Sequence, residues 1–127
     1  MVLANMPPTP RIVVTGDFNS SPEDVPAPFV PPYQQFTQGV DILGRPLGES
    51  FFDAWTLRPG KPPGLSCCQD ADLLNPWSVL SERIDLIFSR DEPNGVKANQ
   101  VGNSPEDKTR SGLWPSDHAG LVVRYTF

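Results

Sequence analysis

Proline and glycine interrupt the middle of this 127-residue chain. The sequence contains 16 prolines and 10 glycines, and more than half of them fall between residues 22 and 64. Each proline lacks an amide donor and restricts the residue before it, so we do not expect a regular helix through residues 22–34. The sequence therefore predicts irregular surface loops in this region and ordered structure toward both ends.

Apolar patterns predict strands on both sides of these loops. Residues 11–15 are rich in β-branched side chains, as in a buried strand. In residues 82–89, every second position from Ile84 to Phe88 is large and apolar, which is typical of a strand with one apolar face. We predict an α/β fold of the α+β type, with a mostly antiparallel or mixed sheet, few helices and long loops. Further strands are predicted at residues 65–69, 96–101 and 120–127, and a short helix or helical turn at residues 49–57.

The formal net charge of −5 excludes one broad class of function. Proteins that grip a nucleic-acid backbone over a wide surface need many lysine and arginine contacts. A phosphate-bearing substrate would instead need a local site, such as carboxylates that hold a divalent cation. No apolar run has the length of a membrane span and no signal peptide is recognised, so we expect a soluble chain. Its location is left open, because a longer parent could have carried an export signal.

The two cysteines are adjacent, so they cannot link distant segments of the chain. We interpret Cys67 and Cys68 as two small unpaired residues rather than as a vicinal disulfide. The sequence has one histidine and no Cys-x-x-Cys pattern, so a zinc site of the usual kind is not expected.

Three short segments place carboxylate, amide and imidazole groups beside predicted strands. They are residues 16–19 (GDFN), 83–88 (RIDLIF) and 116–118 (SDH). Taken singly, GDFN is commonly a turn and SDH a solvated loop or helix cap. Taken together and in this order, they resemble the endonuclease/exonuclease/phosphatase family, whose members cleave phosphate esters with a metal ion. The resemblance covers residues 11–127 and is with the C-terminal half of the family's domain, which leaves residues 1–10 as an N-terminal extension.

The resemblance implies roles for five residues, and phosphate-ester chemistry explains their types. Such hydrolysis needs an in-line water, a cation and groups that orient the water and the phosphorus. Asp17 would orient or deprotonate the water, and Asn19 would hold the transferring phosphoryl group. These two and Asp117 would bind Mg²⁺ or Mn²⁺, which prefer oxygen ligands. His118 would contact the scissile phosphate, and Asp85 would fix the orientation of the imidazole.

The same resemblance implies that part of the site is missing. Family members carry an asparagine, a metal-binding glutamate and usually a histidine upstream of the GDFN segment, and this sequence shows none of them in a matching context. The family fold resembles a four-layer, deoxyribonuclease I-like sandwich in which each half supplies one sheet. We therefore expect Ile84, Leu86 and Phe88 to form an exposed apolar face. A second copy of the chain, a partner chain supplying the missing half, or helical and loop segments rearranged within this chain would cover that face.

Two functions follow from these expectations. The first is a metal-dependent phosphoesterase of the nuclease or phosphatase type, with low activity alone. Its partner would be a phosphate-ester substrate, and nucleic acid is one of the candidates. The alternative is a non-catalytic binding or assembly module that keeps the family sheet.

Overall fold

The structure is a computed structural model that describes residues 10–60 and 63–127. Nearly all of the predicted N-terminal extension, residues 1–10, lies outside the described residues. The regular elements in chain order are β1 (Val13–Asp17), α1 (Pro32–Gln38), β2 (Phe52–Asp53), α2 (Ala54–Leu57), β3 (Asp85–Ser89), β4 (Gly95–Val101), a 3₁₀ helix (Pro105–Asp107) and β5 (Gly120–Thr126).

The strands form two antiparallel sheets. The first has the order β1-β3-β2, so β3 is its central strand, and the second is the β4–β5 pair. The predicted α+β fold with antiparallel sheets and few helices is confirmed. Within the described residues, both helices are short and neither could cross a membrane.

Helix α1 corrects the prediction that residues 22–34 are irregular throughout. The helix begins at Pro32, with Pro31 as its N-cap. Proline is tolerated at this position, because the first amides of a helix have no partner within it. The helix ends at Gly39, which has a φ of 65°, and a Cβ there would collide with the Glu49 carbonyl.

The apolar face of β3 is covered by the chain itself, so the expected exposed face is wrong. Ile84, Leu86 and Phe88 are only 6%, 1% and 0% exposed. The Phe88 ring lies 5.2 Å from the ring of Phe36 in α1 and 5.3 Å from that of Phe18, measured between centroids. Aromatic residues of α1 and of the segment after β1 therefore cover this apolar face of β3.

The opposite face of β3 packs against the second sheet. Ile87 lies against a core cluster that contains Trp55 of α2 together with Val96 and Ala98 of β4. Three partly buried residues at alternate positions of β5 also pack against this cluster: Leu121, Val123 and Tyr125. Strand β3 is therefore buried on one face and partly buried on the other, where it packs against the second sheet.

A buried ion pair fixes the start of β3. Arg83 Nη2 lies 2.8 Å from Asp53 Oδ2, and the two side chains are 7% and 2% exposed. The Tyr33 hydroxyl donates to the same oxygen at 3.0 Å, and the Trp55 amide donates to Asp53 Oδ1 at 2.9 Å. Burial and the Asp53 carboxylate raise the pKa of Tyr33 to about 12. The network joins α1, α2 and the residue two positions before Asp85.

The other predicted strands are present with slightly different boundaries, except for one that the structure does not contain. The first strand continues through Asp17 because its pairing with β3 continues to that residue. The predicted strand at residues 65–69 is wrong, since Cys67 makes only isolated bridges, to Glu82 and to His118. The strands predicted at residues 96–101 and 120–127 and the helical turn within residues 49–57 are confirmed.

Candidate active site

The ends of β1 and β3 bring two carboxylates together. Asp17 is the last residue of β1, Asp85 is the first residue of β3, and the two are paired in the antiparallel register. The Phe18 amide donates to the Ile84 carbonyl at 2.9 Å, so the pairing continues past both strand ends. Because the partners are directly opposite, their side chains leave the sheet on the same face.

His118 is bound to one of these carboxylates. Its Nδ1 lies 2.7 Å from Asp85 Oδ2, and both side chains are about one quarter exposed, at 25% and 23%. This hydrogen bond raises the pKa of His118 above its ordinary value, while partial burial acts in the opposite direction. The charges of Asp117 and Asp17 also raise the pKa of His118. An ionised carboxylate can only accept, so Nδ1 carries a proton and Nε2 is left for another partner.

Ser66 positions the backbone on both sides of the Asp85–His118 contact. Its hydroxyl is fully buried and accepts from the amides of Ile84 and Asp85, at 3.2 and 3.0 Å. Its carbonyl accepts from the amide of Ala119, the residue after His118, at 2.8 Å. The sequence analysis missed Ser66, because a single serine in a loop carries no motif.

Asn19 and Asp117 occupy the turns beside these residues. The Asn19 amide donates to Asp17 Oδ1 at 2.9 Å, in the Asx turn that the sequence allowed as the plain reading of GDFN. Asp117 is exposed, and its carboxylate accepts from Ser116 Oγ at 3.3 Å. Asp117 directly precedes His118 in the chain, and its charge contributes to the raised pKa of His118.

A shallow cleft lies beside Asp17 and Asp85. Its volume is about 140 Å³. That is small against the roughly 300–1,000 Å³ of ordinary ligand pockets, so it accommodates one phosphate group or a hydrated ion and not a whole substrate. Its walls come from β1, β3 and β5, through Thr15, Gly16, Asp17, Asp85, Leu86, Ile87, Ala119, Gly120 and Leu121.

The donor chemistry of Asp17, Asn19 and Asp117 fits Mg²⁺ or Mn²⁺ only in part. Mg²⁺ is usually held by one or two carboxylates, with water and substrate phosphates as its other ligands. The part of the chain that the structure describes contains one group of three His, Cys, Asp or Glu ligand atoms within 4.8 Å of one another, and its members are not these carboxylates. A magnesium ion here would depend on ligands from water, substrate or another chain.

That group consists of Cys67, Cys68 and His118. The structure places the two sulfur atoms together as a vicinal disulfide, the alternative that the sequence did not favour. Adjacent cysteines can be bridged when the local backbone brings their sulfur atoms together, which sequence spacing does not reveal. Cys68 Sγ lies 3.8 Å from His118 Nε2.

The structure therefore brings Asp17, Asp85 and His118 together and places Asn19 and Asp117 in the adjoining turns, while their catalytic and metal-binding roles stay predictions. The sequence model of the Endonuclease/Exonuclease/phosphatase family matches residues 2–118, a span that contains all five residues. Searches of the curated proteins and of the solved structures found no match. Since the match covers most of the sequence and its three motifs, the chain belongs to the Endonuclease/Exonuclease/phosphatase family.

Proposed function

We propose that this chain is a metal-dependent phosphoesterase that hydrolyses phosphodiesters or phosphomonoesters. Its family consists of hydrolases of the nuclease and phosphatase type. The observation that carries the proposal is the 2.7 Å contact between His118 Nδ1 and Asp85 Oδ2, next to the pairing of Asp85 with Asp17. Two carboxylates and an oriented imidazole are thereby brought together, and a cleft of about 140 Å³ lies beside Asp17 and Asp85.

His118 acts on the phosphate through Nε2. Asp85 holds Nδ1–H, which fixes the plane of the ring and leaves Nε2 to meet a phosphate oxygen. Because the Asp85 contact raises the pKa of His118, the protonated ring is favoured, and a protonated Nε2 donates a hydrogen bond to an anion. The ring thus supplies charge where the phosphoryl group becomes more negative.

Asp17 acts on the attacking water. Its carboxylate is exposed, and one of its oxygens already accepts from the Asn19 amide. The second oxygen is available to orient a water or to take its proton. The Asx turn holds the carboxylate in a fixed direction at the end of β1.

Mg²⁺ or Mn²⁺ is the proposed cofactor, and Asp17, Asn19 and Asp117 would hold it. When bound there, such an ion would supply positive charge that offsets the charge of the transferring phosphoryl group. The oxygen ligands supplied by the described residues are few, so we propose that affinity for the ion and activity are low in this chain alone.

A second copy of the chain or a partner chain would supply further ligands. Apolar side chains that such a chain could cover lie on edge strand β1 and on the second sheet. Val13, Val101 and Val122 are 46%, 50% and 54% exposed. The substrate class within phosphate esters is set by the loops, and nucleic acid stays a candidate.

Hydrolysis of bis-p-nitrophenyl phosphate tests the proposal. The native chain is expected to release nitrophenolate when Mg²⁺ or Mn²⁺ is added, and Asp17→Asn and His118→Gln to lose this release. Glu106→Gln removes one exposed carboxylate outside the cleft and serves as the matched control. Equal rates for the native chain and Asp17→Asn, purified in the same way, would show that the chain is not the source of the activity.

The alternative function is a non-catalytic module that binds phosphate groups. It is favoured by one observation, that no three carboxylates of the described residues bring their oxygens within 4.8 Å of one another. Binding of inorganic phosphate, followed by the chemical shift of the His118 ring, separates the two functions. Phosphate binding without metal-dependent hydrolysis at any protein concentration supports the module.

A further inference from the structure

The vicinal cysteines lie against the outer nitrogen of the site histidine. Sγ of Cys68 is 3.8 Å from Nε2 of His118, and the ligand atoms of Cys67, Cys68 and His118 all fall within 4.8 Å of one another. Cys67 is buried, His118 is half-buried and Cys68 is exposed. The group therefore has a buried side and an open side.

Backbone hydrogen bonds hold the two segments together on either side of this group. The Ala119 amide donates to the Ser66 carbonyl at 2.8 Å, and the Gln69 amide donates to the Asp117 carbonyl at 2.7 Å. Because these bonds flank both the cysteine pair and the histidine, they hold the backbones of the two segments side by side whether or not the sulfurs are bonded to each other.

The donor set selects a soft cation. Two thiolates and an imidazole suit Zn²⁺ far better than Mg²⁺. Histidines that bind a metal almost always donate the other ring N–H to a carboxylate or carbonyl, and His118 already does so to Asp85 at 2.7 Å. Three protein ligands with one exposed side leave a fourth position for water, as in open zinc sites.

We propose that the chain with Cys67 and Cys68 reduced binds one Zn²⁺ ion through the two sulfur atoms and His118 Nε2. Reduction must come first, because both sulfurs are bonded to each other in the disulfide. A dithiol reductant donates two electrons and two protons to the S–S bond and becomes a disulfide itself. Zn²⁺ then displaces the two thiol protons as the two Zn–S bonds form.

The ion would take the nitrogen that the proposed function assigns to phosphate. Zn²⁺ binding and phosphate binding are then mutually exclusive, and the oxidation state of the cysteines decides whether Zn²⁺ can compete. The competition rests on the proposed function, whereas the zinc site itself does not.

Cobalt(II) is the probe, since it replaces zinc at such sites and absorbs light. The chain is reduced without oxygen by a phosphine, which becomes the phosphine oxide by taking an oxygen from water, so that no small thiol competes for the ion. We expect one equivalent of Co²⁺ to produce a thiolate-to-cobalt charge-transfer band and one equivalent of Zn²⁺ to remove it. The oxidised chain should show no such band.

Three variants identify the ligands. Cys68→Ser removes an exposed sulfur and should lose the band, with circular dichroism as the check that the variant folds. Asp85→Asn removes the partner of His118 and should weaken Co²⁺ binding by about 10–100-fold. Glu106→Gln is the control, because it removes an exposed carboxylate outside the candidate site and should leave the band and the affinity unchanged.

Two results would overturn the proposal. One is the absence of a thiolate band in the reduced native chain, and the other is a band of unchanged strength in Cys68→Ser. Hydrolysis is not measured in any of these steps, so failure of the zinc site and failure of the phosphoesterase proposal are distinguishable.

Discussion

Ser66 Oγ accepts a hydrogen bond from the backbone amide of Asp85 at 3.0 Å. The same hydroxyl accepts from the Ile84 amide, and the serine side chain has no exposed surface. A loop residue without charge thus fixes where the first residue of β3 begins, and with it the carboxylate that orients His118.

Ser66→Ala should destabilise the fold and loosen the site. Two buried amides lose their acceptor, and an unsatisfied buried polar group costs about 1–3 kcal/mol. Urea unfolding measures the loss. Ser81→Ala, at an exposed position, is the matched control and should stay within about 0.5 kcal/mol of the native chain. A Ser66→Ala chain as stable as this control would mean that water replaces the hydroxyl.

Removing Arg83 should be more damaging than removing both members of its ion pair. Arg83→Met leaves the Asp53 carboxylate buried without its cation, and breaking such a pair costs about 3–5 kcal/mol. The double variant with Asp53→Asn should recover part of that loss, since no unpaired buried charge remains. Unfolding free energies of the two single variants and the double variant give the comparison, with Arg110→Met as an exposed control. Additive losses would contradict a direct coupling between the two side chains.

The pKa of His118 should fall in Asp85→Asn. The hydrogen bond to Asp85 is the largest cause of its raised value, ahead of the charges of Asp117 and Asp17. The sequence has one histidine, so proton NMR follows its ring without ambiguity, in metal-free buffer. Asp117→Asn should lower the pKa by less. If Asp117→Asn lowered the pKa of His118 more than Asp85→Asn does, the Asp85 hydrogen bond would not be the main cause of the raised value.

The raised pKa of His118 makes the free energy of unfolding depend on pH. The folded pKa of His118 lies above the unfolded value of about 6.5, so the protonated ring stabilises the fold. This contribution is fully present below pH 6.5 and is lost as the pH rises through the folded pKa. The stability difference between the native chain and Asp85→Asn should therefore shrink over that range in urea unfolding. A stability difference between the two chains that grows with pH would contradict this prediction.

Two glycines provide a matched test of backbone geometry. Gly39 and Gly112 have φ values of 65° and 84°, so alanine at either position adopts a left-handed conformation that costs about 1–2 kcal/mol. At Gly112 the new methyl group meets nothing within 4 Å, whereas at Gly39 it collides with the Glu49 backbone. Gly39→Ala should therefore lower the melting temperature clearly more than Gly112→Ala.

The sequence predicted which face of β3 is apolar but not what covers it. The alternation from Ile84 to Phe88 is a property of neighbouring residues, and it identified the strand correctly. The covering rings of Phe18 and Phe36 come from 52 to 70 positions earlier in the chain, which periodicity cannot report. The expected exposed face was wrong for this reason.

The sequence likewise predicted some residues of the candidate site and missed others. The GDFN, RIDLIF and SDH motifs, taken together as a resemblance to the family, pointed to Asp17, Asp85 and His118, which the structure brings together. Ser66 and the Asp53–Arg83 pair carried no such signal. Their importance comes from burial and from partners 18 to 30 positions away, and neither property is visible in a local pattern.

Between the two sheets, residues 10–60 and 63–127 form no shared ladder of hydrogen bonds, and the candidate site lies across the seam between the sheets. Asp17 and Asp85 belong to the first sheet, while His118 leads directly into β5 of the second. The seam is held by side-chain packing and by the few backbone bonds around Ser66 and Gln69. The distance between the His118 imidazole and the Asp85 carboxylate is therefore set by this packing and by Ser66, which bonds to both segments, and not by a ladder shared between the sheets.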